Sequence, residues 1–379
     1  MLRVLHFAGT INRYDFIDTV IRFADPRRFR MMACTFTAQS NIEDPGYERD
    51  GIPHFVLGVR RRKTDFPRAI ARLATLLRRE RVDILHTHHY DEALIGLVAA
   101  RLAGTPAVVV GRHYHDEIYL LTNGFKRKAL LALEGWVNRR AKAIVVPSTP
   151  IRSLLVERQR VPADKVHVIP YGFDFRADRY RPPTQEEVER IREELGLQGY
   201  FVVGNFARHH RLKGQEYLLH AFARFVRDEP SARLLMVGDG PDHGRLRALA
   251  RELGLEETGR VLFTGWRKDA RRLMGGVDVV VHPTLLDSFP QVMVEAMALG
   301  RPLITTPAAG PMDQVRPGQT GLMVPMRDVE ALYEALVWVR THGEEARAMG
   351  ERARAYVQAE LDIRSIIPHY EAVYESCLQ

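Results

Sequence analysis

Short apolar runs alternate with amphipathic segments along this chain, in two series separated by a proline-containing break. In the first series Arg3–Ala8, Arg30–Phe36, His54–Leu57, Val82–His86, Ala107–Arg112, Ala143–Val146 and Val166–Ile169 read as strands. Between them Thr64–Glu80, Asp91–Leu102, Phe125–Arg140 and Ile151–Gln159 read as helices. In the first of these, Phe66, Ile70, Leu73 and Leu77 share a face turned away from Arg68, Arg72 and Arg79. Apolar strands alternating with such helices predict a parallel sheet covered on both faces. Pro170-Tyr-Gly-Phe-Asp174 is turn chemistry, and Arg181-Pro-Pro-Thr184 is linker-like.

The pattern then restarts. Gln185–Glu194 reads as a solvated acidic helix. Tyr200–Asn205, Arg233–Val237, Arg260–Phe263, Val277–Pro283, Pro302–Thr306 and Gly321–Val324 read as strands. Gln215–Arg227, Gly244–Leu253, Ala270–Met274, Glu295–Leu299, Val329–Thr341 and Glu345–Leu361 read as helices. The expected fold class is α/β: two Rossmann-like doubly wound domains, 1–180 and 181–361, whose strand C-terminal edges face a cleft. A chain of 379 residues, 46% hydrophobic, is long for one core and suits two.

Charge separates the halves. Residues 1–185 hold 31 Lys and Arg against 19 Asp and Glu, a balance of +12, while the remainder holds 24 against 28. A basic half beside an acidic one suits an anionic partner, such as a membrane surface, a phosphorylated acceptor or nucleic acid. An Arg-rich solvated surface explains the same numbers. Cys34 and Cys377 form no C-x-x-C pair, which argues against a thiolate metal site and fits a reducing compartment. The opening Met1–Gly9 has too short an apolar run for a signal peptide, and no apolar stretch approaches membrane-spanning length. A cytoplasmic protein is expected. Ile118–Leu121 followed by Phe125-Lys-Arg-Lys128 offers a peripheral contact at the inner face of the cell membrane. A buried helix with a solvated basic end accounts for it equally well.

Asp287-Ser-Phe-Pro-Gln-Val-Met-Val-Glu295 joins the run Val277–Pro283 to the helix Glu295–Leu299, which Gly300 closes. A strand, a short loop and a helix start leave unpaired N–H groups at the C-terminal edge of a sheet. The helix dipole adds positive potential there, which makes an anion site. Asp287 in the loop and Glu295 in the helix lie too far apart to share a proton; one suits a sugar, the other a ribose. Asn205-Phe-Ala-Arg-His-His-Arg-Leu-Lys-Gly214 follows the first strand of the second series. It places Arg208 and Lys213 as cations at a strand end, where a diphosphate gaining charge would be stabilised.

The string from Asp287 through Glu295 to Ile304 resembles the donor-binding signature of the retaining GT-B enzymes of glycosyltransferase family 4. That family usually shows two Glu residues separated by seven; Asp287 takes the first place here, one methylene shorter. Arg208 and Lys213 map onto the family's Arg and Lys-Gly pair. The resemblance is strong over about residues 200–330 and weaker, position by position, over 1–180. It implies a hexose-type sugar moving from a nucleoside-diphosphate sugar to a hydroxyl of a saccharide, lipid-linked or small-molecule acceptor. Front-face retention is implied, the leaving phosphate helping to take the acceptor proton.

The catalytic candidates are His113, Arg208, Lys213 and Asp287, with His115 as the alternative to His113. Both histidines lie in Val110-Gly-Arg-His-Tyr-His115, where the family places a histidine at a strand end. The donor-binding candidates are Gly238, Gly240, Gly265, Trp266, Ser288, Phe289, Pro290 and Glu295. The glycines of Val237-Gly-Asp-Gly-Pro241 would let a ligand approach the backbone. Gly9 is the acceptor-side candidate, in a first loop, Gly9–Tyr14, that lacks the family's usual Gly-Gly pair. No D-x-D triplet occurs, so no metal and no cofactor are expected, with the two cations in the metal's place. His86-Thr-His-His89 lacks the acidic partners and spacing of a metal motif. The resemblance also implies that the C-terminal helix, 362–379, crosses back to the first domain. Two other readings stand beside this one. A GT-B nucleotide-sugar 2-epimerase would act on donor alone. A non-catalytic anion-binding module would use the basic half, although no aromatic-basic nucleic-acid motif is present.

Overall fold

Seven strands build the sheet of the first unit: β1 (Leu2–Ala8), β2 (Phe29–Thr35), β3 (His54–Val56), β4 (Ile84–His88), β5 (Ala107–Gly111), β6 (Ala143–Val146) and β7 (Val166–Val168). All pairings are parallel, in the order β3-β2-β1-β4-β5-β6-β7. β4 and β5 are buried along their whole length; β5 is correspondingly an unbroken apolar run, whereas β4 carries His86, Thr87 and His88 into the interior. Leu5, Phe7, Met32, Leu73, Leu77, Leu85 and Ile144 form the core on one face. Chain order reverses between β1 and β4, so their C-terminal ends open a crevice at the sheet edge. The structure, a computed structural model, describes residues 1–13, 15–37, 44–60, 62–115, 118 and 122–379. Tyr14 of the first loop and residues 119–121 of the apolar stretch beside Phe125 lie outside the described residues.

A helix over Phe16–Phe23 is absent from the reading by periodicity. Asp15 caps it by accepting from the Ile17 and Asp18 N–H groups, and Phe16, Ile17, Val20 and Ile21 are buried. The C-terminal segment Leu361–Gln379 belongs to this unit, which otherwise spans Met1–Asp174. Its helix, Ile363–Ser376, packs on Phe16–Phe23 and buries Tyr370 and Tyr374.

The second unit, Phe175–Glu360, repeats the order. Its strands are β8 (Phe201–Phe206), β9 (Ala232–Val237), β10 (Val261–Gly265), β11 (Val279–His282), β12 (Leu303–Thr305) and β13 (Leu322–Met323). They run parallel as β10-β9-β8-β11-β12-β13, with the reversal between β8 and β11. The acidic run is a helix because Thr184 and Glu187 form a reciprocal capping box. The helix after β11 begins at Gln291, not at Glu295, and ends at Ala298. Pro290 leads into it, and Gln-Val-Met-Val continues it without a breaker. Glu295 therefore sits mid-helix.

Candidate active site

In the second unit the loops after β8 and β11 are fastened together. The Leu212 carbonyl accepts from the Leu285 N–H at 2.8 Å, the Leu286 N–H at 3.2 Å and the Thr284 hydroxyl at 3.2 Å. Gly214 lies at φ +65°, and a Cβ there would stand 2.0 Å from the Pro283 carbonyl oxygen, so only glycine allows this approach. Asn205 donates to the Val281 carbonyl at 2.9 Å, and Gln215 donates to Asn205 and to the Arg208 carbonyl, both at 3.3 Å. This framework delivers Lys213 to Asp287: the ammonium donates to Asp287 Oδ2. Buried His282, at the end of β11, reaches the same oxygen at 3.3 Å.

Burial would raise the Asp287 carboxyl. The His282 hydrogen bond and the Lys213 charge outweigh that and hold it down at about 2. Burial also lowers His282 below its usual value despite its acidic neighbour, so at neutral pH a neutral imidazole donates from Nε2 to a carboxylate. Arg208 is exposed, and its guanidinium has no ion-pair partner among the described residues.

The glycines of Val237–Pro241 pack against the chain's own backbone. A Cβ on Gly238, at φ +142°, would meet the Ala207 carbonyl oxygen at 2.0 Å, and one on Gly240 would meet the His209 carbonyl oxygen at 2.4 Å. What comes close to these glycines is the chain's own 207–209 segment. His209, fully buried and stacked on His243, latches the two loops. Gly265, at φ +69°, has open space where a Cβ would stand, and Trp266 beside it is 64% exposed. Ser288, Phe289 and Pro290 are buried. They rest on Gly310, where a Cβ would stand 2.7 Å from the Phe289 nitrogen. Glu295 accepts from Arg271 through Oε1. The Arg271 guanidinium also lies 5.5 Å from the centre of the Tyr180 ring.

In the first unit the crevice between β1 and β4 is lined by histidine. His113 follows β5, and both of its nitrogens are engaged: Nδ1 with the Tyr171 hydroxyl at 2.8 Å and Nε2 with His88 Nδ1 at 3.0 Å. His88 Nε2 lies 3.0 Å from His6 Nδ1, His6 Nε2 lies 3.3 Å from the Tyr374 hydroxyl, and that hydroxyl lies 2.8 Å from His86 Nδ1. Burial depresses His6 to about 3 and His86, His88 and His113 well below the usual value, so all four rings are neutral. Phe16 stacks on Tyr171 at 3.9 Å and tilts against His113 at 4.6 Å. His6, His86 and His88 lie close enough together to hold a metal ion. Among their ring nitrogens, however, only His86 Nε2 lacks a hydrogen-bond partner among the described residues.

The segment carrying His113 is held by a buried ion pair, Arg112 Nη1 to Glu134 Oε1 at 2.8 Å. Tyr114 donates to Glu134 at 2.8 Å, and Gln159 donates to it at 2.7 Å. The His115 carbonyl accepts from Arg112 at 3.3 Å. Gly9 directly follows β1 at the same sheet edge. Periodicity and motif pass over His6, Phe16, Arg112, Tyr171, His282 and Tyr374. The one readable signal among these is a histidine in an otherwise apolar strand, which His6 and His282 both give.

Two parallel six- and seven-stranded Rossmann-like units with reversals at β1/β4 and β8/β11 define the GT-B class. Residues 19–177 match the family described as Glycosyltransferase Family 4, and residues 199–342 match that described as Glycosyl transferases group 1. The chain belongs to glycosyltransferase family 4. It is 26% identical over 313 residues to N-acetyl-alpha-D-glucosaminyl L-malate synthase of Bacillus anthracis, covering 82% of this chain and 78% of that one. It is 27% identical over 282 residues to an Escherichia coli UDP-Gal:alpha-D-GlcNAc-diphosphoundecaprenol alpha-1,3-galactosyltransferase, covering 72% and 70%. Among solved structures it superposes on Anabaena HepE in complex with UDP-glucose with a TM-score of 0.82 at 23% identity, over 99% of this chain and 100% of that one. Sucrose-phosphate synthase of Thermosynechococcus elongatus gives 0.81 at 20% identity, over 99% of each chain.

Proposed function

We infer that this glycosyltransferase moves a hexose-type sugar from a nucleoside-diphosphate sugar to an acceptor hydroxyl with retention. The observation that carries the reading is the pairing of Lys213 with Asp287 at the reversal point of the second unit's sheet, with Arg208 on the same loop as Lys213 and without an ion-pair partner among the described residues. Lys213 and Arg208 take the diphosphate, whose charge grows as the glycosidic bond breaks. Asp287 has a second carboxylate oxygen for the sugar. The first-turn N–H groups after Pro290 face the phosphate, and Glu295, steadied by Arg271, takes the ribose. The exposed ring of Trp266 flanks the base. Relatives and neighbours whose names specify UDP-Gal or whose complexes contain UDP-glucose support the donor class.

With two cations on the diphosphate, turnover needs no divalent metal and should persist in excess EDTA. Acceptors named for the relatives include L-malate, a diphosphoundecaprenol-linked sugar and D-inositol 3-phosphate. All carry negative charge, and the Arg-rich first half suits an acceptor of that kind. Among the described residues no helix is long and apolar enough to cross a membrane. Phe125, 86% exposed, sits beside exposed Lys126 and Lys128. That surface fits an anionic lipid face.

The test is a panel of nucleoside-diphosphate sugars screened by thermal shift, followed by mass spectrometry of products with and without anionic acceptors. Sugar transferred to an acceptor supports the reading. An epimerised sugar formed from donor alone would replace it with the epimerase.

A further inference from the structure

The hydrogen bonds of the first unit place six side chains in single file: Tyr171, His113, His88, His6, Tyr374 and His86. A neutral imidazole donates from one nitrogen and accepts at the other. Once one ring in such a file has its tautomer, every neighbour's is forced, and only two orders exist. If the bonds point from Tyr171 toward His86, the last ring carries its proton on Nε2. That atom is buried and has no hydrogen-bond partner among the described residues. If the bonds point the other way, Nε2 of His86 is a bare lone pair. An orphaned buried N–H is the rarer and costlier of the two.

We propose that the file runs from His86 to Tyr171, with His86, His6, His88 and His113 each protonated on Nδ1, so that the unpartnered nitrogen of His86 sets the tautomer and pose of His113. His86 Nδ1–H donates to the Tyr374 oxygen, and Tyr374 donates to His6 Nε2. His6 and His88 then donate from Nδ1 to His88 and His113 in turn, and His113 Nδ1–H ends on the Tyr171 oxygen. An imidazolium, with two donors, would break the order, and burial keeps all four rings neutral. The backbone makes room for the middle link: a Cβ on Gly111 would stand 2.6 Å from His113 Nε2 and 3.0 Å from His88 Nδ1. His6, His88 and Tyr374 are thus positioning residues acting through His113. Their bearing on turnover rests on the reading that puts His113 at the sugar-transfer site.

The test uses the full-length enzyme labelled with 15N-histidine, its rings assigned by single His→Gln variants. Two-bond 1H–15N spectra at pH 7.5 should show the Nδ1–H pattern for all four rings. Tyr374→Phe keeps the ring but removes the link between His86 and His6. His6 Nε2 then becomes the bare end of the file, so His113 should keep the Nδ1–H pattern. Gly111→Ala, which wedges the His88–His113 link, should move the His113 ring and lower kcat roughly tenfold to 10²-fold with little change in donor KM, the cost of a misplaced group at a reacting centre. An Nε2–H pattern for His113 in the parent or in Tyr374→Phe, or the nitrogen shifts of metal-bound imidazole, would each overturn the proposal. If the proton order holds while kcat of Gly111→Ala stays, the positioning role falls with the placement of His113, and the order stands.

Discussion

Lys213 and Asp287 come from loops that follow adjacent strands of one sheet, and their side chains form an ion pair at its C-terminal edge. The pair is 24% and 17% exposed, dry enough for its charges to count. His282 donates to the same carboxylate oxygen, so Asp287 holds Lys213 from one side and is itself held from the other.

Asp287→Asn removes the charge that fixes Lys213. It should cost about 1.5–3 kcal/mol of stability, the range for a hydrogen bond to a charged group. It should also lower kcat at least roughly tenfold, because a cation aimed at the diphosphate loses its bearing. Urea denaturation and steady-state kinetics read the two effects. A variant as stable and as active as the parent contradicts this role.

Glu295 and Arg271 make a second pair, through Glu295 Oε1, and the other carboxylate oxygen is the one assigned to the ribose. Glu295→Gln should weaken nucleoside-diphosphate binding about tenfold to 10²-fold, equivalent to one charge-assisted hydrogen bond. Arg271→Ala should weaken it less, since it removes the support and not the contact. Unchanged affinity of Glu295→Gln by calorimetry would exclude the ribose role.

Both alternating series are readable in the residues because parallel strands buried on both faces, such as β5 and β6, are apolar throughout. The helix Phe16–Phe23 escapes because it spans only eight residues, about two turns, too few for its apolar face of Phe16, Ile17, Val20 and Ile21 to establish a period. Lys213 and Asp287 stand out by motif. Their meeting depends on Gly214, which looks ordinary until the Pro283 carbonyl is seen against it. At Gly238 and Gly240 local backbone packing requires glycine, a constraint that spacing alone does not reveal. The histidine file is invisible in sequence, since His6, His86, Tyr171 and Tyr374 are brought together only by the parallel register and the returning C-terminal helix.

The neutral histidines carry a pH signature. Unfolded, each would take a proton near pH 6.5; folded, His6 does so only near 3 and the others well below their usual value. The unfolded chain therefore binds more protons as the pH falls, and stability drops from about pH 6.5 downward. The slope is up to about 1.4 kcal/mol per pH unit for each such ring. Denaturation midpoints at pH 7.5, 6.5 and 5.5 should fall steeply over the last interval. A flat profile contradicts neutral burial.

Arg112 and Glu134 are both nearly inaccessible, so removing one charge strands the other. Glu134→Gln should destabilise by about 3–5 kcal/mol, and Arg112→Met combined with Glu134→Leu should cost less than that single change. Equal or greater loss in the double variant would show that packing, not charge, dominates there.

The central claim is that Lys213 and Arg208 act on the leaving diphosphate, and turnover of their alanine variants tests it most directly. Cations on a leaving group gain strength as it gains charge, so they affect kcat more than donor KM. Lys213→Ala and Arg208→Ala should each lower kcat by about 10²–10³, the usual cost of one preplaced donor. The double variant should lose less than the product, because both groups serve one diphosphate. A kcat within a few-fold of the parent in both single variants, with added salt reproducing their effect on kcat/KM, would contradict the claim and leave a basic loop that only steers anions in.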